Sequence, residues 1–442
     1  MPAAPDQNVE TLRNPRERRR ATQASFVGTT VEFFDFVLYS TAATLVFPQI
    51  FFDGTSPATA IALSYLTLAS GYLARPFGAL FFGHFGDRYG RKYVLVATMV
   101  MMGIVTVSIG LTPPSAAIGA AAPIMLVVAR LLQGIAMGGE FGGALLLAYE
   151  YAPRDRKGLG AAIAMAGAPT GALTASLIFS QFAKLPEDDF MSWGWRVPFL
   201  FSFALILVAI YLRSSIKESP EFESRRQTSF GSHSAPISSL LKHWPQVSFS
   251  LLVGVASLTT YVLASTYFVG LGISHGYAQS SIVILVTIGS MLQIVGIPAT
   301  AALSDRIGRL KVLALGNVLI AATIVPVLIL LDAGIFSLYA IGFILGMIIP
   351  LAAYGPLGAY LGEQFPVRIR YTGVSFTYQL IALISGFAPV VAVELTAAAN
   401  GHWYLVAIVL TVLPLLALAA LRTTRSSATW FTTPPDGMTP VK

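Results

Sequence analysis

Apolar residues run through this chain in long blocks, and polar residues gather in short breaks between them. Twelve blocks are long enough to cross a hydrocarbon core of ~30 Å as helices: 24–50, 57–84, 92–111, 120–148, 158–183, 194–213, 247–273, 279–303, 312–331, 334–361, 371–396 and 402–422. Strands of a soluble core run to only ~4–8 residues, so strands do not account for this pattern. The longest polar interruption, 214–246, is rich in Ser and charge and falls after the sixth block. The pattern therefore predicts an all-α polytopic membrane protein with 12 transmembrane helices in two six-helix bundles. The bundles span 24–213 and 247–422, joined by a linker at 214–246 and flanked by tails at 1–23 and 423–442.

Composition agrees: 55% of residues are hydrophobic and 11% charged, and the mean hydropathy is +0.71. The net charge of +7 would suggest a nucleic-acid partner in a soluble domain. Here the basic residues alternate with the blocks instead, gathering in the N-terminus, every second loop and the C-terminus. With twelve spans 24 of the 28 Lys and Arg lie on one face, which the positive-inside rule makes cytoplasmic, with both termini, while Lys184 and Arg196 fall on the other. The charge sets topology in a lipid bilayer, and no nucleic acid is expected. There is no cysteine, which excludes disulfides and thiolate metal sites; neither a metal nor a cofactor is expected. The first block carries acids and lacks a small-residue cleavage site, so it reads as a retained span.

Two polar loops repeat half a chain apart. "GHFGDRYGRK" at 83–92 returns as "AALSDRIGRLK" at 301–311, and "EYAPRDRKG" from Glu150 returns as "EQFPVRIRYTG" from Glu363. The order is the same in both halves, as in transporters built from parallel repeats. Gly90 and Gly308 suit tight turns, and the basic residues suit topology. Neither need explains Asp87 or Asp305. An acid here can pair with Arg91 and with the N-terminal amides of a neighbouring helix. The predicted cytoplasmic gate comprises Gly83, Asp87, Arg88, Gly90, Arg91, Lys92, Glu150 and Arg156, then Asp305, Arg306, Gly308, Arg309, Glu363 and Arg368. The competing reading is a topology anchor that never rearranges.

Gly83-x-x-x-Asp87-Arg88-x-Gly90-Arg91-Lys92 resembles the signature loop of the major facilitator superfamily, and its second copy departs by having Ala301 where Gly would stand. "GTTVEFFDFVLYS", "RLLQGIAMGGEFGGALLLAYEYAP", "WGWRVPFLFS", "KESPEFE" and "GEQFPVRIRYTG" are similar to the metabolite:proton symporter family, over about residues 25 to 425. That resemblance implies proton-driven symport of an organic acid or zwitterionic osmolyte across a bacterial inner membrane, by a protein functional as a monomer. A uniporter or antiporter on the same fold, and a transporter-like sensor, are the alternatives. An enzyme is not expected, since the chain has no HExxH or GxSxG and its five histidines do not cluster.

Ionisable residues inside a span are costly and mark function by default. Gly28, Glu32, Asp35 and Tyr39 follow helical spacing on one face of the first span. Asp35, Arg75 and Glu140 lie at matching depths of ~12–16 Å from the cytoplasmic ends of their spans. Arg130 lies ~15 Å further out than Glu140. In one reading Arg75 pairs permanently with Asp35 or Glu140 and fastens three helices. In the other, Asp35, with Glu32 and Glu140 behind it, carries the coupling proton, and Arg75 takes a substrate carboxylate, which its planar fork suits. Further substrate contacts are expected from Arg130, Tyr39 and Gln133, and from Tyr267, Gln293, Tyr354 and Gln379 in the second half, where spans seven, eight and ten carry no charge. In related symporters the arginine of "WGWRVPF", here Arg196, is an anion contact; its place between Trp193 and Trp195 also suits an interfacial anchor.

Overall fold

The computed structural model describes residues 15–218 and 236–427. The outer parts of both predicted tails and the middle of the predicted linker lie outside these residues. Helices account for the described chain, with no strand among the described residues. The long helices are α1 Pro15–Leu45, α2 Pro57–Tyr89, α3 Arg91–Leu111, α4 Ala121–Tyr151, α5 Lys157–Phe182 and α6 Arg196–Ser214. They continue as α7 Trp244–Ser265, α8 Gln279–Ile307, α9 Arg309–Asp332, α10 Phe336–Ile348, α11 Arg370–Ala398 and α12 Tyr404–Ser427. After α7 the chain breaks at Thr266 and resumes as Tyr267–Ser274, and after α10 it resumes as Leu351–Tyr354 and Leu357–Gln364.

Among the described residues ten helical stretches are long and apolar enough to cross a membrane by length and composition. The other two long helices, α1 and α2, have the length but carry Glu32, Asp35 and Arg75 within it. Large apolar side chains such as Phe77, Ile104 and Val295 are mostly exposed, which suits a surface solvated by lipid tails rather than water. The first helix starts at Pro15, inside the predicted tail. Its arginine-rich opening turns project past the apolar block, where water solvates them without breaking the helix.

Local sequence explains several boundaries. Ser56 caps α2 by accepting from the Thr59 N–H at 3.2 Å, with Pro57 in the first turn, a placement that costs proline no hydrogen bond. Gly90 and Gly308 end α2 and α8 at φ of 113° and 103°, conformations that a side chain would strain.

Glycine stripes set the helix spacing. A Cβ on Gly134 or Gly138 would collide with the backbone of α2 at Gly71 and Arg75, and one on Gly171 with α1 at Thr30. Such small residues let main chains approach closely where no hydrophobic force acts between lipid-solvated helices. α1 packs on α5, and α2 on α4. Between the halves, α5 meets α8 and α2 meets α11.

Candidate functional site

At the end of the bundle that carries the basic loops, each half caps a helix of the other. Asp87, near the end of α2, accepts from the Tyr371 N–H at 3.1 Å and from the Thr372 N–H and hydroxyl at 2.9 and 2.7 Å. First-turn amides have no partner within their own helix, so the carboxylate meets open donors and the positive end of α11. Asp305 repeats this on α5, accepting from the Gly158 and Leu159 N–H groups at 2.8 and 2.9 Å.

The missing glycine of the second loop has a structural counterpart. A Cβ on Gly83 would lie 2.7 Å from Thr372 Cα, whereas beside Ala301 the small residue stands on the opposing helix, where a Cβ on Gly158 would lie 3.0 Å from Ala301 O. Close approach survives because the glycine has changed sides.

Ion pairs surround both caps. Arg91 pairs with Glu150, which also takes Arg370 Nη1 at 3.1 Å across the halves. Arg309 pairs with Glu363 and holds Asp305 at 2.9 Å. The first pair is wholly enclosed, whereas Glu363 is 38% exposed.

Five predicted gate residues stand aside from these pairs. Arg88, Arg306 and Arg368 are exposed. Arg156 lies 3.5 Å from its equally exposed neighbour Asp155. Lys92 contributes its main-chain N–H to Glu218 at 3.1 Å. Successive helical residues point in different directions, so the Asp faces the partner half while the adjoining Arg faces out.

Deeper in the first half, Gly28, Glu32, Asp35 and Tyr39 form one buried face of α1, as their spacing predicts. The expected pairing of Arg75 with Asp35 or Glu140 does not form. The Asp35 carboxylate is held by two hydroxyls, Thr106 of α3 at 3.0 Å and Ser202 of α6. Glu140 pairs with Arg213 Nη2 at 3.1 Å, and Arg213 Nη1 donates to Leu95 O at 3.1 Å.

Arg213 is the penultimate residue of α6 and the last residue of the sixth apolar block. Its side chain turns back into the bundle and passes α1 at Gly28, where a Cβ would overlap the guanidinium. Glu32 is buried, and its Oε2 has no hydrogen-bond partner.

Arg75 and Arg130 make no ion pair among the described residues. Arg75 is 7% exposed, its guanidinium carbon 4.4 Å from the Tyr72 ring and 4.7 Å from the Phe36 ring. Its Nη2 lies 3.5 Å from Met137 Sδ. Arg130 is 4.9 Å from the same Phe36 ring and 4.3 Å from Tyr39, whose hydroxyl is fixed to Thr67 at 2.6 Å.

Arg130 therefore reaches the same ring as Arg75, although its Cα sits further along the bundle. The Arg75 Nε and the Arg130 Nε and Nη2 have no hydrogen-bond partner. A desolvated cation–π contact is worth up to ~2 kcal/mol, less than the several kcal/mol that burying an ion costs. Two arginines held on aromatic faces thus favour an arriving anion.

The second half brings polar groups to this cluster without charge. Gln379 Nε2 donates to Met137 O at 3.2 Å, on the residue whose sulfur faces Arg75. Tyr354 and Tyr378 share a hydroxyl contact of 3.0 Å, Tyr261 stacks on Tyr354, and Phe141 stacks on Tyr378 with centroids 3.8 Å apart. Gln293 is buried with its Nε2 unpartnered.

Two predicted substrate contacts fall elsewhere. Tyr267 bonds Thr396 at 2.7 Å at the opposite end of the bundle. Arg196 donates to Gly110 O and Thr112 O at 2.7 and 2.8 Å and lies 4.4 Å over the Trp195 ring, so it caps the end of α3 as an anchor.

Thr106, Ser202, Arg213 and Arg370 enter the site without having been singled out by the sequence. Hydroxyls are common in apolar helices, and nothing marks these two. Arg370 stands in the repeated loop two residues after Arg368, but it opens α11 and reaches Glu150, whereas Arg368 lies exposed in the turn before the helix.

The sequence matches the family model described as "Sugar (and other) transporter" over residues 21–229. It is 38% identical over 396 residues to the inner membrane metabolite transport protein YhjE of Escherichia coli (strain K12), covering 85% of this chain and 87% of that one. The shikimate transporter of the same organism is 34% identical over 412 residues, covering 92% and 93%. Among solved structures, the major facilitator superfamily proton:xylose symporter XylE superposes with a TM-score of 0.73 at 17% identity, covering 95% of this chain and 97% of its own.

Proposed function

The chain belongs to the metabolite:proton symporter family of the major facilitator superfamily, a family of membrane transporters and not enzymes, and on that premise we propose that it carries a small carboxylate-bearing metabolite together with a proton by alternating access. The substrate is an organic acid or a zwitterionic osmolyte. The observation that carries this reading is the pair of buried arginines, Arg75 and Arg130, poised on one ring without a carboxylate, beside an Asp35 held by hydroxyls alone.

In this reading Asp35 takes a proton from the outer side, and a substrate carboxylate settles on Arg75 and Arg130. Gln379, Tyr354 and Tyr378 frame it from the second half. Loading both ligands cancels charge that would be expensive to carry through a dry, closed intermediate. The basic end faces the cytoplasm, and its two acid-capped helices keep that side shut until both ligands are aboard. Opening then releases substrate and proton inward.

The test is uptake into proteoliposomes of labelled shikimate, proline and glycine betaine, with and without an imposed pH gradient, acid outside. Gradient-dependent accumulation of one of these supports symport. Equal entry under both conditions would point to uniport, and accumulation only against a preloaded counter-substrate to antiport.

A further inference from the structure

A chain of hydrogen bonds runs from Arg130 to Asp35, and its polarity is forced. A guanidinium only donates, so the Gln133 atom 2.9 Å from Arg130 Nη1 is the carbonyl Oε1. Gln133 therefore turns its amide nitrogen, also only a donor, to Thr106 Oγ1 at 2.8 Å. Thr106 accepts there and gives its own hydrogen to Asp35 Oδ2 at 3.0 Å. Ser202 serves the other carboxylate oxygen and belongs to no such chain. All four members of the chain are buried on three helices, α4, α3 and α1. As drawn, the chain ends on an acceptor, which an ionised carboxylate satisfies.

We propose that Gln133 is the positioning residue that couples substrate binding to proton uptake. This rests on the reading of Asp35 as proton carrier and of Arg130 as an anion contact. A carboxylate bound by the open Arg130 Nε and Nη2 re-aims the guanidinium and withdraws Nη1, the donor that fixes Gln133. The amide can then turn over and present Oε1 to Thr106. The Thr106 hydroxyl rotates to donate to Gln133, leaving a lone pair toward Asp35, which a protonated Asp35 satisfies. Only one covalent bond forms, the O–H on Asp35, from a solvent proton; Gln133 and Thr106 change orientation and neither gains nor loses a proton. Proton and substrate then favour each other through a neutral relay, and by linkage the effect is reciprocal.

The relay can be tested without knowing the substrate, because removing Arg130's donors imitates their capture. Purified protein is titrated while the infrared carbonyl stretch of protonated Asp35, assigned by its loss in Asp35→Asn, is followed. Arg130→Met should move that titration by about one pH unit, tenfold in proton affinity. In a Gln133→Met background most of that shift should vanish, and likewise in a Thr106→Val background, which removes the hydroxyl at nearly constant shape. A through-space effect of Arg130 would leave the shift intact in both backgrounds, and that result would overturn the relay while sparing Asp35. An assigned band that fails to titrate while the protein stays folded would overturn both the relay and the Asp35 reading beneath it.

Discussion

Asp87 and Thr372 stand in different halves of the chain, yet the carboxylate takes both the main-chain N–H and the hydroxyl of that threonine, at 2.9 and 2.7 Å. An amide in place of the acid would turn a donor toward donors. Leaving a buried donor unsatisfied costs about 1–3 kcal/mol. Asp87→Asn is therefore expected to loosen the closed basic end, lowering turnover roughly five- to tenfold while changing apparent substrate affinity little. The chain has no cysteine, so a single Ser375→Cys, buried against Gly142 of α4, reports opening directly. Its labelling from the basic side should speed up in the Asp87→Asn background. Unchanged labelling and a normal transport rate would leave Asp87 as a topology anchor.

The Glu140–Arg213 pair predicts a pattern of stabilities. Removing one partner of a buried pair strands the other and costs about 3–5 kcal/mol, whereas replacing both with apolar groups often costs far less. Glu140→Leu and Arg213→Met should each lower the melting temperature more than the double variant does. Additive losses would show that the two charges act independently.

Gly28→Ala should act on the same pair from a distance. The added methyl overlaps the Arg213 guanidinium, which is pinned on both sides by Glu140 and Leu95 O. The loss of stability should shrink in the Arg213→Met background, where the crowding guanidinium is gone. A loss unchanged in that background would place the clash elsewhere.

The span pattern, the repeated loops and the acids that cap opposing helices were legible because each is written in local order and spacing. The pairing of the intramembrane charges was not. Spacing gives depth along a helix axis, and it assigns Asp35, Arg75 and Glu140 matching depths. It does not give the rotation of each helix or which helix stands beside it. Arg213 shows the gap most clearly: it reads as a charge at the very end of the sixth block, and it is the absence of a side chain at Gly28, an interhelical fact, that admits it to Glu140. Tyr267 was drawn toward the site by residue type alone and Arg196 by the resemblance to related symporters, and both are committed to the ends of the bundle, Arg196 as the anchor that its flanking tryptophans also suit.

Arg75→Lys keeps the charge but loses the planar fork and much of the aromatic contact. A charge-assisted hydrogen bond is worth ~1.5–3 kcal/mol, roughly a ten- to hundredfold change in affinity. The KM for the transported carboxylate should rise by about that factor, with a near-normal melting temperature. An unchanged KM would remove Arg75 from the substrate site and leave Arg130 as the anion contact.

The most direct test of the whole account is one variant measured in two ways. Asp35→Asn imitates the protonated acid, since the amide is uncharged and can still meet Ser202 and Thr106. In proteoliposomes it should catalyse counterflow of substrate at a rate near that of the unaltered protein, because loading and exchange need no net proton movement. Under an imposed pH gradient it should bring internal substrate only to the external concentration. An Asp35→Asn protein that still concentrates substrate would contradict the account and move the coupling proton to Glu32 or Glu140.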